Sequence, residues 1–156
     1  MALHGLLTRG IRSTLDAHRG DLETLARSVG LPTGSGEHLA QTIEAIPGLL
    51  VALDHEVQAS NDPAIQRMWS SLVSYLLLDD DLVPSRDGAP VEGLLDDAYL
   101  VHIAVERMMV RVSRRTAIDP RSIAGGASLL RVTLPSGVVR ALGDRLDAAL
   151  AREVKT

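Results

Sequence analysis

Apolar residues recur at helical intervals along almost the whole chain. The first such series has a leucine or isoleucine every three or four positions, which is typical of a helix with one buried face: Leu3, Leu6, Leu7, Ile11 and Leu15. Asp21 is predicted to cap a separate short helix that stops at Gly30. The only stretch with any resemblance to a strand is 129–134, and it is short.

Prolines and capping residues predict where the later helices begin. Pro47 should break or kink a helix that starts at Glu37, and a loop is predicted over 31–36. Further helices should start near Asp62, near Val91 or Gly93, at Asp119 and at Ser136. We therefore predict an all-α protein, a compact bundle of six to seven helices in one domain over residues 1–156.

Composition narrows the possible chemistry. The chain has 156 residues, of which 46% are hydrophobic and 23% charged, as expected for a globular domain with a core. The absence of Cys excludes disulfides, thiolate zinc sites and a Cys nucleophile. Only Trp69, Tyr75 and Tyr99 are aromatic, which argues against base stacking on single-stranded nucleic acid. All three lie near the same segment of the chain.

The formal net charge of −4 argues against a dedicated nucleic-acid-binding domain, which usually has a basic surface. The chain has no apolar run of the roughly 20 residues that span a bilayer, and no recognisable secretory signal. We therefore expect a cytoplasmic protein.

Residues 75–97 form the most distinctive segment, YLLLDDDLVPSRDGAPVEGLLDD. Seven acids and one Arg give it a formal charge of −6. Two acidic clusters flank a turn that contains proline, so we predict a helix–loop–helix hairpin. Asp81 is expected to brace the turn, and Asp96 and Asp97 are expected in the first turn of the next helix, where they favour the helix dipole.

This segment resembles the signature of the YkvA-like bacterial proteins, a family of unknown function. The resemblance covers under a fifth of the chain and is carried mainly by Tyr75, Asp81, Pro84, Pro90, Gly93, Asp96 and Asp97. It implies a short helical hairpin, often membrane-associated, but no reaction. This chain departs from the family pattern at Asp79, where the family has Pro, and at 85–87, where Ser-Arg-Asp replaces an acid and two apolar residues.

A hard-cation site is an alternative interpretation of the same acids. Carboxylates are the ligands that magnesium, manganese and calcium prefer, and a His and a Glu four residues apart can share a metal. The candidate ligands are Asp81, Asp96, Asp97, His102 and Glu106. The spacing also places Tyr99, His102 and Glu106 on one helix face, where a buried, hydrogen-bonded histidine is the simpler explanation.

A basic stripe follows the acidic hairpin. Four arginines recur at helical spacing and form a candidate contact patch: Arg107, Arg111, Arg114 and Arg115. Such a stripe is expected to form ion pairs within the chain or to contact another subunit or a phosphate-bearing partner.

The residues contain no recognisable catalytic set, so binding is expected rather than catalysis. We predict a protein-interaction or self-assembling accessory module whose partner is another protein or a second copy. The alternatives are a small metal-binding protein or metal-dependent enzyme that uses the hairpin carboxylates, and a peripheral membrane protein. No cofactor is predicted other than a divalent cation at the hairpin, and no specific nucleic acid.

Overall fold

Seven helices account for nearly all of the computed structural model, which describes residues 2–77, 90–112 and 118–151. They are α1 (Ala2–Ser28), α2 (Ser35–Glu44), α3 (Ile46–Ala59), α4 (Pro63–Leu77), α5 (Pro90–Arg111), α6 (Pro120–Thr133) and α7 (Ser136–Ala151). These described ranges contain no strand, and 129–133 belongs to α6. The predicted all-α class and the number of helices are therefore confirmed.

α1 agrees with the prediction of two helical segments in this part of the chain. The range Ala2–Ser28 joins two helices across a kink at His18, whose φ of −132° and ψ of 22° lie outside the helical region. Asp21 does not cap a new helix; its Oδ2 lies 2.9 Å from Nδ1 of His18. The helix ends at Ser28, just before the predicted stop residue Gly30, which has a φ of 82° and donates its N–H to the Arg27 carbonyl.

The start of α2 is capped from α1. The carboxylate of Glu23 accepts the N–H of Gly34 at 2.9 Å and the N–H of Gly36 at 2.8 Å. These two backbone bonds lower the pKa of Glu23. α2 consequently begins at Ser35, two residues before the predicted Glu37. The prediction missed this start because the capping side chain belongs to the preceding helix.

Several predicted helix starts agree with the structure. Pro47 occupies the first turn of α3, where a missing N–H costs nothing. Asp62 caps α4 by accepting the Ala64 N–H at 2.9 Å, and Asp119 caps α6 by accepting the Arg121 N–H at 3.1 Å. α5 starts at Pro90, just before the predicted Val91 or Gly93.

α5 lies at the centre of the bundle and contacts each of the other six helices. Every residue from 98 to 105 is buried. A helix that is apolar on every face is typically buried on all sides. The sequence of 98–105, AYLVHIAV, is apolar throughout except at His102. Polar groups on this helix are consequently enclosed by its neighbours. None of the helices in the described ranges has the length and hydrophobicity of a transmembrane span.

Candidate functional site

The junction between α4 and α5 is built around a buried pair. Tyr75, near the end of α4, is 1% exposed, and Asp96, in α5, is fully buried. The Tyr75 hydroxyl donates to Oδ2 of Asp96 at 2.6 Å. A short bond from a hydroxyl to a carboxyl group in a dry interior is among the stronger hydrogen bonds in proteins. It ties together the two helices that flank residues 78–89.

α7 reinforces this junction from outside. The Arg145 guanidinium lies 5.1 Å from the centre of the Tyr75 ring, and its Nε donates to the Ser71 hydroxyl at 3.3 Å. At the other end of the same helix pair, Arg67 donates to the carbonyl of Ala149 at 2.9 Å. α4 is therefore held by α7 at both ends and by α5 through Asp96.

The predicted hairpin motif is only partly described by the structure. Asp81 and Pro84 lie outside the described residues. Pro90 is the first residue of α5, and Gly93 is buried. Because α5 starts at Pro90, Asp96 and Asp97 lie beyond its first turn, which corrects the expected placement near the helix N-terminus. Asp96 instead stabilises the fold through Tyr75.

The face of α5 that carries Tyr99, His102 and Glu106 packs against α6. His102 is 3% exposed and donates its Nδ1–H to the Ala98 carbonyl at 2.7 Å. Its ring lies against Gly126, where an added Cβ would be 2.7 Å from Nε2. Burial lowers the pKa of His102, although the Ala98 carbonyl and the charge of Glu106 oppose this shift. His102 is thus a neutral core histidine at neutral pH.

Arg131 of α6 closes the outer edge of the same interface. Its guanidinium lies 5.8 Å from the centre of the Tyr99 ring, and its Nε donates to the Tyr99 hydroxyl at 3.3 Å. Nη2 of Arg131 is 3.8 Å from Oε1 of Glu106. The bond to Tyr99 is the main cause that raises the pKa of Arg131. The shared helix face was predicted correctly, and α6 is what covers it.

The described residues contain no group of three His, Asp or Glu side chains arranged to hold a metal ion. Asp96 binds Tyr75, and the ring of His102 packs between Ala98 and Gly126. The proposed cation site also includes Asp81, outside the described ranges, and it stays a prediction.

Two of the four arginines in the predicted basic patch form ion pairs within the chain. Nε of Arg107 is 2.9 Å from Oδ1 of Asp147 in α7, and Nε of Arg111 is 3.0 Å from Oδ2 of Asp62 at the start of α4. The Arg111 bond is the main cause that lowers the pKa of Asp62. Partly exposed pairs of this kind contribute at most about 1 kcal/mol each. Arg114 and Arg115 lie outside the described residues.

The roles of Arg145, Arg131 and Gly126 in these interfaces were not predicted from the sequence. Gly126 carried a usable signal, because adjacent glycines inside a predicted helix lower its propensity by about 1 kcal/mol each and require a reason. The arginines carried no such signal, since an exposed Arg on a helix is unremarkable.

Comparisons of the chain with protein-family models, with curated proteins and with solved structures find no match in any of the three. The resemblance of residues 75–97 to the YkvA-like family therefore stays a prediction.

Proposed function

We propose that this protein is a helical protein-interaction module that binds a partner protein through residues 78–89, here called the acidic segment. The observation that carries the proposal is the buried bond between Tyr75 and Asp96. It joins the helix that enters the acidic segment to the helix that leaves it. A segment attached at both ends to a fixed scaffold is the usual arrangement of binding loops.

Attachment to a fixed scaffold favours binding because it lowers the entropic cost of association. A recognition segment loses conformational freedom when it binds, and restraining its ends lowers that loss. In this chain the restraint comes from three helices, since Arg145 of α7 covers the ring of Tyr75 while Asp96 of α5 binds its hydroxyl.

The sequence of the acidic segment suggests the chemistry of the partner. The segment contains four acids and one Arg, together with the apolar pair Leu82 and Val83. A surface with lysines or arginines around an apolar patch is complementary to this composition. Opposite charges would accelerate encounter and select the partner, and the apolar residues would add buried area.

Carbodiimide coupling tests the proposal directly, because it joins a carboxylate to an amine without a spacer. This chain has 20 acids but a single lysine, Lys155, so partner lysines would supply nearly all the amines. The protein is coupled in an extract of its source cells, and the cross-linked peptides are mapped by mass spectrometry. We expect the links to concentrate at Asp79, Asp80, Asp81 and Asp87.

Two triple variants with equal charge change make the test specific. D79N/D80N/D81N removes three of the four acids of the acidic segment, and D16N/D54N/D144N removes three acids from α1, α3 and α7. The partner and its links should disappear with the first variant and persist with the second. Links that spread over α1 to α7, or that survive D79N/D80N/D81N, would contradict the proposal.

A further inference from the structure

We propose that residues 2–17 of α1, here called the α1 arm, exchange between two copies of this chain, with His18 as the hinge. This inference concerns a different part of the molecule from the acidic segment and does not depend on it.

The hinge is the one non-helical residue inside α1. With a φ of −132° and a ψ of 22°, His18 lies outside the helical region and kinks α1 at this point. The kink is accompanied by the local contact of 2.9 Å between His18 and Asp21, and both side chains are at least one-third exposed. A conformational change at this point therefore disturbs little of the surrounding core.

The part of α1 beyond the hinge is fixed to α2. Arg19 contacts Glu44 at 2.7 Å and Glu37 at 3.1 Å. Glu23 caps the start of α2, and Gly36 lies so close that an added Cβ would be 2.6 Å from the Glu23 backbone nitrogen. Leu22 and Ala26 are fully buried. This half of the helix remains with its own bundle when the hinge changes.

The α1 arm is a one-sided helix seated in the core. Ile11 and Leu15 are 5% and 0% exposed and belong to the main hydrophobic cluster, whereas Arg12, Ser13 and Asp16 face outward. Sixteen helical residues extend about 24 Å, long enough to act as a separate packing element.

In the exchanged form a straight α1 would direct the arm away from its own core and open the apolar groove that Ile11 and Leu15 occupy. The structure shows what fits that groove, because the arm itself occupies it. A second copy supplies the same residues, so reciprocal exchange restores each arm–core contact and changes only the hinge. The straight form also returns His18 to helical geometry, which favours the exchanged dimer once the concentration offsets the cost of association.

Substitutions at His18 shift the balance between the two forms in opposite directions. His18→Ala favours a continuous helix, whereas His18→Gly disfavours it. Ala and Gly differ in helix propensity by about 1 kcal/mol, and this difference applies to both copies of the dimer. The dimerisation constants of the two variants should therefore differ by about 30-fold. His55→Ala is the matched control, because His55 is exposed within the regular helix α3 and its replacement should leave the constant unchanged.

Each protein is refolded from denaturant at high concentration, and its dimer content is measured by sedimentation velocity. Isotope-labelled and unlabelled dimers are then mixed and followed by native mass spectrometry. An exchanged dimer requires its arms to open, so mixed dimers should form slowly, whereas a dimer joined only at its surface would mix during dilution.

The D79N/D80N/D81N variant separates this inference from the proposed function. An exchanged dimer persists in that variant. Its loss there would assign association to the acidic segment and overturn the inference. Absence of dimer after refolding, rapid mixing, or equal constants for His18→Ala and His18→Gly would also overturn it, and none of these three results bears on partner binding.

Discussion

His102 of α5 and Gly126 of α6 meet so closely that no side chain fits between them. A Cβ placed at Gly126 would lie 2.7 Å from Nε2 and 2.8 Å from Cδ2 of the imidazole ring. His102 is itself fixed, because its Nδ1–H donates to the Ala98 carbonyl. The approach of α6 to the central helix thus depends on a glycine at this position.

Gly126→Ala should destabilise the protein by about 1–3 kcal/mol, because the added methyl group forces the ring or α6 to move. The neighbouring Gly125→Ala is the matched control, since a Cβ there meets nothing within 4 Å. That variant should be stabilised by up to about 1 kcal/mol through helix propensity. Urea unfolding of both variants measures the difference. Equal effects at the two positions would contradict the close packing.

Acidification should destabilise the fold through His102. Burial lowers the pKa of His102 in the folded state, so the unfolded chain binds the proton more readily. Stability is therefore lost as the pH falls below the unfolded value of about 6.5, and each unit by which the folded pKa is lowered corresponds to about 1.4 kcal/mol.

His102→Gln removes this titration, and the difference between its unfolding free energy and that of the unaltered protein should change between about pH 7 and pH 5. The pKa values of Glu23 and Asp62 are also lowered, so their contributions are lost at more acidic pH, in both proteins alike. A constant difference across this range would show that His102 does not titrate differently in the folded state.

Tyr75→Phe should cost about 1–3 kcal/mol, because a buried carboxyl group loses its hydroxyl donor. Tyr99→Phe is the comparison, since the Tyr99 hydroxyl contacts the half-exposed Arg131 at 3.3 Å rather than a buried acid at 2.6 Å. Its removal should cost about 1 kcal/mol or less. Thermal or urea unfolding of both variants measures the two losses of stability. A larger loss for Tyr99→Phe than for Tyr75→Phe would contradict the prediction.

Gly36→Ala should destabilise the α1–α2 pair by about 1–3 kcal/mol, because backbone rather than a mobile side chain faces the added carbon. The nearest atoms are the backbone nitrogen and Cα of Glu23, at 2.6 and 2.7 Å. Gly48→Ala, in α3, adds its carbon to open space and serves as control. Hydrogen exchange should show faster opening of α2 in Gly36→Ala alone. Equal exchange in both variants would contradict the contact.

Local signals predicted the helices well because their causes are local. Pro63 after Asp62 and Pro120 after Asp119 specify a fixed φ and a cap within a few residues, and both helices begin there. The same logic predicted a break in α1 but misplaced it, because the kink lies at His18 rather than at the predicted cap Asp21. It also misplaced the start of α2, because the cap comes from Glu23 in the preceding helix.

The sequence by itself determined that this chain is helical, where most helices start, and that Tyr99, His102 and Glu106 share a face. These properties follow from periodicity and from backbone chemistry within one or two turns. Only the tertiary structure decided that Tyr75 binds Asp96, that Gly126 receives His102, and that Arg107 and Arg111 pair within the chain. Each of these contacts joins residues at least 20 positions apart, and their meeting depends on how whole helices pack around α5.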